Sequence, residues 1–286
     1  MDDGKLRALL TAVDCGSFSK AAAQLGYTQS AMTHLVNKLE AEIGCTLLER
    51  DSQGIRLTDA GRQLLPYIQN VVCACDTLLQ EAAEQSDPRK RTLRIGCFAS
   101  IARARLPELL RVFRAEHPEI QLDVLVRSEE LQAALASGRI QLALVDEARA
   151  KGFDFQLLTD TPLVAVVPPD FQWEGDTIPL ERLLREPFLS SPDQYIEPFL
   201  PADAPRIEVS ASDDGAILSM VAAGLGVAVL SSFSLVGYEE RVRVLQLEQP
   251  ISLRLGAAVK SINAAGTSAR TFLSFLCAYY GQEERL

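Results

Sequence analysis

The sequence predicts a multidomain protein with a mostly α-helical N-terminal part and an α/β C-terminal part. Helical periodicity dominates residues 5–85, whereas from Leu93 onward short runs of β-branched residues alternate with helical stretches. Between the two parts lies SDPRKR, residues 86–91, a polar segment with a proline, which is typical of a linker. The 286 residues are enough for two or three domains that each bury a core of their own.

Composition and charge exclude several classes of protein. The N-terminus, MDDGKLRALL, has acids where a signal peptide has a basic region, so we expect a cytoplasmic protein with reduced thiols. The six cysteines form no CxxC pair, so we expect no zinc site, and no other metal or cofactor is indicated. Gly224 and Gly226 interrupt the uncharged stretch 216–237, which favours a buried helix, a turn and a strand over a membrane span.

Two helices joined by a tight glycine turn are predicted after residue 16. Ser19 can cap a short helix, KAAAQL, whose alanines let another helix approach closely. Gly26 supplies the left-handed residue at the end of that helix. Thr28 can cap the next helix, which continues to Glu42.

This next helix has one apolar face and one polar face. Its apolar residues recur at helical spacing: Met32, Leu35, Val36 and Leu39. Short hydrogen-bonding side chains on the other face suit a helix that enters the major groove and addresses base edges. The predicted DNA-contacting residues of the helix are Thr28, Gln29, Ser30, Thr33, His34, Asn37 and Lys38. The pattern indicates a helix-turn-helix, although an ordinary core helix of a bundle remains open at this point.

A wing and a long helix follow. Residues 47–58, LLERDSQGIRLT, predict a β-hairpin in which Arg50 and Arg56 flank the turn and contact phosphates. Thr58 can cap a long helix, which Pro66 should bend. Apolar residues spaced as in a heptad predict pairing with a second copy of the chain through Leu64, Ile68, Val71, Cys75 and Leu78.

Residues 16–61 resemble the N-terminal pattern of the LysR-type transcriptional regulators. The family pattern GSFxxAAxxLxxSQPAVSxxIxxLExxLGxxLFxRxxxxxxLTxAG appears here as GSFSKAAAQLGYTQSAMTHLVNKLEAEIGCTLLERDSQGIRLTDAG. The resemblance implies a winged helix-turn-helix DNA-binding domain (1–58), a linker and dimerisation helix with a hinge (59–91), and a two-lobed, periplasmic-binding-protein-like effector domain (92–286).

The resemblance also implies the partners. They are double-stranded DNA with an interrupted palindromic operator, further copies of the chain in a homodimer or a homotetramer built as a dimer of dimers, and a small-molecule co-inducer of unknown identity. RNA polymerase is a candidate further partner. The chain departs from many members at Ser30, His34 and Asn37, and each change removes charge or a proline. Residues 1–85 hold seven Lys and Arg against eleven Asp and Glu, so we expect few phosphate contacts and a shallow salt dependence of DNA binding.

The C-terminal part predicts two α/β lobes with a ligand cleft between them. Lobe I should comprise about 92–161 and 253–286, with a parallel sheet covered by helices, and lobe II about 162–252. Ligands in such folds lie at the carboxyl ends of strands. The residues predicted there are Ser100, Ile101, Ser128, Ser190, Ser191 and Asp213. For each serine a simple helix cap is the alternative.

Three other functions are alternatives to a regulator. An enzyme on the same fold lacks support, because the only histidines are His34 and His117 and no nucleophile motif occurs. A thiol-switched regulator would use Cys75 on the dimer seam or Cys97 at the effector site. A plain solute-binding protein would lack the pattern of residues 16–61. The sequence therefore predicts an effector-responsive, DNA-binding transcriptional regulator without catalytic residues.

Overall fold

The computed structural model of the protein describes residues 2–51, 54–86, 91–190, 205–209 and 214–283. The chain divides into two compact units. The first comprises Met1–Asp87 with Ala136–Arg139, and the second comprises Pro88–Leu135 and Ile140–Leu286.

The N-terminal unit is a three-helix bundle with a hairpin and a long helix. Its elements are α1 (Asp3–Cys15), α2 (Phe18–Leu25), α3 (Gln29–Ile43), β1 (Leu48–Asp51), β2 (Gly54–Leu57) and α4 (Asp59–Ser86). Gly26 ends α2 in the left-handed conformation, with φ 71°, as predicted. The cap predicted for α2 is wrong, because Ser17 holds the N-cap position and Ser19 lies inside the helix.

The core of this unit fixes which face of α3 is left outside. Met32, Val36 and Leu39 are fully buried against α1 and α2, and Leu35 is partly buried. At the start of α4, a Cβ on Gly61 would lie 2.2 Å from the carbonyl oxygen of Leu47, so only glycine permits this approach of the helix to the hairpin. The helix α4 continues through Pro66, and the bend expected there stays a prediction.

The rest of the chain alternates strands with short helices. Its elements are β3 (Thr92–Cys97), α5 (Ala99–Ala104), α6 (Leu106–Glu116), β4 (Gln121–Val126), α7 (Leu131–Ala136), β5 (Leu142–Asp146), β6 (Asp154–Val167), β7 (Thr177–Ile178), α8 (Leu180–Leu183), β8 (Phe188–Ser190), β9 (Arg206–Glu208), α9 (Gly215–Ala222), β10 (Ala228–Ser231), the 3-10 helix η1 (Ser232–Leu235), β11 (Arg243–Leu247), β12 (Ser252–Val259) and α10 (Thr267–Glu283).

One long strand joins the two lobes. The main sheet has the order β4-β3-β5-β12-β6-β11-β7, and β10 also pairs with β6. Residues 154–162 of β6 pair with β12, whereas residues 163–167 pair with β10 and β11. The sheet of lobe I is mixed and not wholly parallel as predicted, because β12 returns from lobe II and pairs antiparallel with β5.

Helices cover both faces of the lobe I sheet. The face formed by Leu142 and Leu144 of β5 packs in a core with Phe113 of α6 and Phe272 of α10. The opposite face, with Ala143, packs against α7. The stretch 216–237 folds as α9, a turn and β10, as predicted, and among the described residues no helix is long and apolar enough to cross a membrane.

Candidate DNA-binding surface and effector site

The polar face of α3 is open to solvent. Six of the seven residues predicted on it are exposed, and the seventh, Thr33, is partly buried. The exposed six are Thr28, Gln29, Ser30, His34, Asn37 and Lys38. Because the opposite face is buried in the bundle, this is the surface that α3 can present to a DNA groove.

Thr28 begins the helix as predicted. Its hydroxyl oxygen accepts a hydrogen bond from the backbone amide of Ala31 at 3.2 Å and lies 3.0 Å from the hydroxyl of Ser30. The threonine therefore stabilises the first turn of α3, whose remaining backbone amides form the positive end of a fifteen-residue helix. Such an end suits a phosphate of the DNA backbone.

Arg50 on the wing is held in place by two neighbours. Its Nη2 donates a hydrogen bond to the side-chain oxygen of Asn37 at 2.7 Å, and its guanidinium lies 4.6 Å from the ring centre of Phe18. Asn37, whose contact with DNA stays a prediction, holds Arg50 in place through its side-chain oxygen. Arg56 is exposed on the neighbouring strand β2, where it lies opposite Glu49 in the strand register.

Glu40 is a structural residue that sequence reasoning did not identify. Its Oε1 accepts hydrogen bonds from the backbone amides of Leu47 at 2.7 Å and Leu48 at 3.0 Å. This carboxylate ties the start of the wing to α3. The signal in the sequence was the LExxLG part of the family pattern, in which the glutamate precedes the wing by a fixed interval.

The long helix α4 exposes two residues of the predicted apolar stripe, Val71 and Leu78, but not all of it. Ile68 is only 6% exposed, and it packs with the partly buried Leu64 against the core of its own N-terminal unit. The exposed apolar residues are Tyr67, Val71, Leu78 and Leu79, with Tyr67 and Leu78 at 68% and 69% exposure. Cys75 is partly buried. The predicted seam is thus corrected at its N-terminal end, where tertiary packing uses Leu64 and Ile68.

Ion pairs fix α1 against α3 and α4. The guanidinium of Arg7 bonds the carboxylate of Asp76 at 2.5 Å and that of Asp3 at 2.7 Å, and these carboxylates raise the pKa of Arg7. The buried Lys5 donates to Glu42 at 2.6 Å, which lowers the pKa of that carboxyl group. The three-helix bundle and α4 are therefore held together by ion pairs as well as by apolar packing.

The residues predicted to bind the effector have different surroundings. Ser100 is partly exposed in the first turn of α5, and Ser128 is partly exposed after β4. Ile101 is 2% exposed and packs in the lobe I core, so its side chain does not face a ligand as predicted. Ser191 and Asp213 lie outside the described residues.

Ser190 is the most informative of these residues. It ends β8, is fully buried, and its hydroxyl has no hydrogen-bond partner among the described residues. Buried hydroxyl groups are nearly always hydrogen-bonded, so this one, at the end of a strand, is a candidate contact for a polar group of a ligand. The sequence identified the residue, but only the structure shows that its hydroxyl is buried and has no partner within the described ranges.

One contact connects the neighbourhood of Ser100 with lobe II, and a second, on the adjoining residue of η1, lies within lobe II. The guanidinium of Arg105, which follows α5, lies 5.0 Å from the ring centre of Phe233 in η1. Ser234 of η1 donates to the carboxylate of Asp214 at 2.5 Å, before α9. Sequence reasoning missed Arg105, Phe233 and Ser234, because nothing in their local pattern indicates that α5 and η1 meet.

Two family models match the chain and together cover nearly all of it. "Bacterial regulatory helix-turn-helix protein, lysR family" matches residues 4–62, and "LysR substrate binding domain" matches residues 86–280. The chain belongs to the LysR family.

Relatives of this LysR-family chain match it over almost its full length. It is 28% identical over 283 residues to a probable HTH-type transcriptional regulator, LrrA, of Synechococcus elongatus, with 96% of each chain covered. A full-length cysteine-to-aspartate variant of OxyR from Pseudomonas aeruginosa has a TM-score of 0.70 at 22% identity, covering 98% of this chain and 94% of OxyR. Full-length CbnR in complex with its target DNA has a TM-score of 0.56 at 20% identity, covering 98% and 100%.

The LysR-family assignment settles the general function. The protein is a DNA-binding transcriptional regulator with an effector-binding domain, and its family is one of regulators rather than enzymes. The fold agrees, since it resembles the folds of solved OxyR and CbnR, which match 98% and 96% of this chain.

Proposed function

We propose that this regulator reads its operator with the exposed polar face of α3, while the wing contacts the flanking phosphates. The observation that carries the proposal is the anchoring of Arg50, whose guanidinium is fixed by Asn37 and Phe18 beside the open face of α3. Gln29, Thr33 and His34 then address base edges, and Arg50 and Arg56 add charge that does not depend on sequence.

The regulator acts as a homodimer, or as a dimer of dimers, on an interrupted palindrome. The stripe of Tyr67, Val71, Leu78 and Leu79 supports this, because a stripe of large apolar side chains exposed on one helix favours a partner helix. The low positive charge of residues 1–85 makes self-association more important. Two N-terminal units that each bind DNA weakly bind it more tightly when they are linked in one dimer.

A small-molecule co-inducer of unknown identity binds between the lobes, with Ser100, Ser128 and Ser190 among its contacts. The buried hydroxyl of Ser190, which has no hydrogen-bond partner in the part of the chain that the structure describes, supports this site. Ligand binding shifts the equilibrium between lobe arrangements and thereby the spacing of the two recognition helices. RNA polymerase is a further partner where the outcome is activation.

A thiol switch at Cys97 receives less support, although solved OxyR structures share the fold. Cys97 is fully buried, and burial raises the pKa of its thiol to about 12. The thiolate is the reactive form, so this cysteine is nearly inert at neutral pH. All six cysteines are free thiols in the structure.

The proposed DNA contacts are tested by sequencing the genomic fragments that the purified protein selects. Gln29→Ala and Thr33→Ala should change the selected sequence, whereas Arg50→Ala should weaken binding to specific and random DNA about equally. Gln172→Ala, an exposed glutamine in the C-terminal unit, is the matched control and should leave selection unchanged. Wild-type preference in both α3 variants would remove the groove assignment.

A further inference from the structure

A cavity of about 260 Å³ lies within lobe I, between α7 and the sheet. Its lining comes from lobe I alone, and it includes Ser128 but neither Ser100 nor Ser190. The cavity therefore shares Ser128 with the proposed effector contacts, but its other lining residues are not among them, so what it binds goes beyond the proposed function.

The cavity exists because a row of small residues crosses the sheet beneath α7. Gly96 of β3 pairs with Ala143 of β5, which pairs with Ala258 of β12. At one end of the row the packing is tight, since a Cβ on Gly96 would lie 2.4 Å from Ile140 and 2.6 Å from Leu131. Farther along, the two alanines leave space that larger side chains would fill, and both line the cavity.

The walls of the cavity are apolar. Leu131 and Leu135 of α7, Val145 of β5, and the rings of Phe98 and Phe153 surround the alanine floor. An apolar cavity of roughly 150 Å³ is known to hold benzene. The larger volume found here is therefore sufficient for a molecule of one or two aromatic rings.

The mouth of the cavity is polar and held in a defined geometry. The guanidinium of Arg149 lies 5.1 Å from the ring centre of Phe98 and donates to the carboxylate of Asp146 at 3.0 Å. Gln132 of α7 donates to the carbonyl oxygen of Arg149 at 2.8 Å, which fixes the distance between α7 and the loop after β5. Such prior ordering reduces the entropy lost when a ligand binds.

Charge at the mouth selects against anions. Among the described residues that line the cavity the single cation, Arg149, is already matched by the buried carboxylate of Asp146, and Glu129 adds a second negative charge. An anionic ligand would lose its hydration inside the apolar walls without gaining an unmatched cation. The polar side chains of the lining, which include Ser128 and Gln132, lie at the mouth.

We propose that this cavity is a binding site for an uncharged aromatic molecule of one or two rings that carries one hydrogen-bonding group. The rings lie on Ala143 and Ala258 beneath α7, and the polar group points to the mouth. A bound molecule braces α7 against β5 and contacts the β4–α7 loop that contains Ser128, so its binding stiffens this side of lobe I.

The test is calorimetric titration of the full-length protein with two probes of similar size. Indole is uncharged and carries one N–H donor, whereas benzoate is an anion. We expect saturable binding of indole with one site per chain and binding of benzoate that is at least about tenfold weaker. Absence of saturable indole binding by the folded wild-type protein, or equal binding of benzoate, would overturn the proposal.

Variants locate the bound indole. Ala143→Leu fills the floor and should weaken indole binding at least about tenfold, as a filled cavity excludes the ring. Ala133→Leu makes the same change on the exposed side of α7 and should have no effect. Ala258→Val provides a second filled variant should Ala143→Leu fail to fold, as judged by circular dichroism. Ser190→Ala, in lobe II, should bind indole like the wild type. If a folded variant with the cavity filled, Ala143→Leu or Ala258→Val, binds indole like the wild type, the site is refuted.

Discussion

Replacing Glu40 by alanine should release the wing from α3. In the structure one carboxylate oxygen of Glu40 accepts hydrogen bonds from two backbone amides, that of Leu47 at 2.7 Å and that of Leu48 at 3.0 Å. Both leucines are buried. Hydrogen bonds to a charged acceptor contribute about 1.5–3 kcal/mol each, and unpaired buried donors are costly. Taking the lower value for each bond, the free energy of local opening of the wing falls by about 3 kcal/mol. This corresponds to roughly a hundredfold increase in the equilibrium constant for that opening.

The assay is native-state hydrogen exchange of the full-length protein. In Glu40→Ala the amides of Leu47 and Leu48 should exchange about a hundredfold faster than in the wild type. Glu40→Gln keeps a hydrogen-bond acceptor, so its exchange rates should lie between those of Glu40→Ala and the wild type. Glu49→Ala removes an exposed wing glutamate and is the control, which should exchange like the wild type. If both Glu40 variants exchange like the wild type, the carboxylate does not hold the wing and the reasoning fails.

Three further predictions concern charge, thiol chemistry and self-association. Because Lys5 lowers the pKa of Glu42, their pairing stabilises the fold above the ordinary carboxyl pKa of about 4.3 and is lost as pH falls through the lowered value. Lys5→Met should therefore flatten the decline of urea midpoints between about pH 5 and 3, and an unchanged slope would contradict this. Cys97 should resist iodoacetamide at about pH 8 until urea unfolds the protein, and mass spectrometry that finds it alkylated in the native state would contradict its burial. Leu78→Glu should shift sedimentation toward monomer at micromolar concentration, whereas Glu81→Gln should not, and an unchanged oligomer would exclude this stripe.

Local pattern predicted much of the N-terminal unit. The stripe of Met32, Val36 and Leu39 is buried as expected, since residues three and four apart share a helix face in any context. The caps at Thr28 and Thr58 are also confirmed, because each threonine acts on an amide three residues onward. These are interactions whose partners are close along the chain.

Prediction failed where the partner of a residue is distant along the chain. The heptad pattern of α4 could not show that Leu64 and Ile68 pack in their own unit, because that depends on how α4 meets the bundle. Asn37 carries no signal for Arg50, thirteen residues away on the wing. Ile101 directly follows Ser100, but as a residue of α5 it has its side chain in the lobe I core.

The sequence by itself determined the family, the order of the elements and the polar face of α3, since each rests on local periodicity or on an ordered motif. Tertiary structure alone decided which apolar residues of α4 remain exposed, that the hydroxyl of Ser190 is buried without a partner among the described residues, and that Gly96, Ala143 and Ala258 form one row beneath α7. The physical reason is strand register and helix packing, which bring together residues whose spacing along the chain carries no periodic signal.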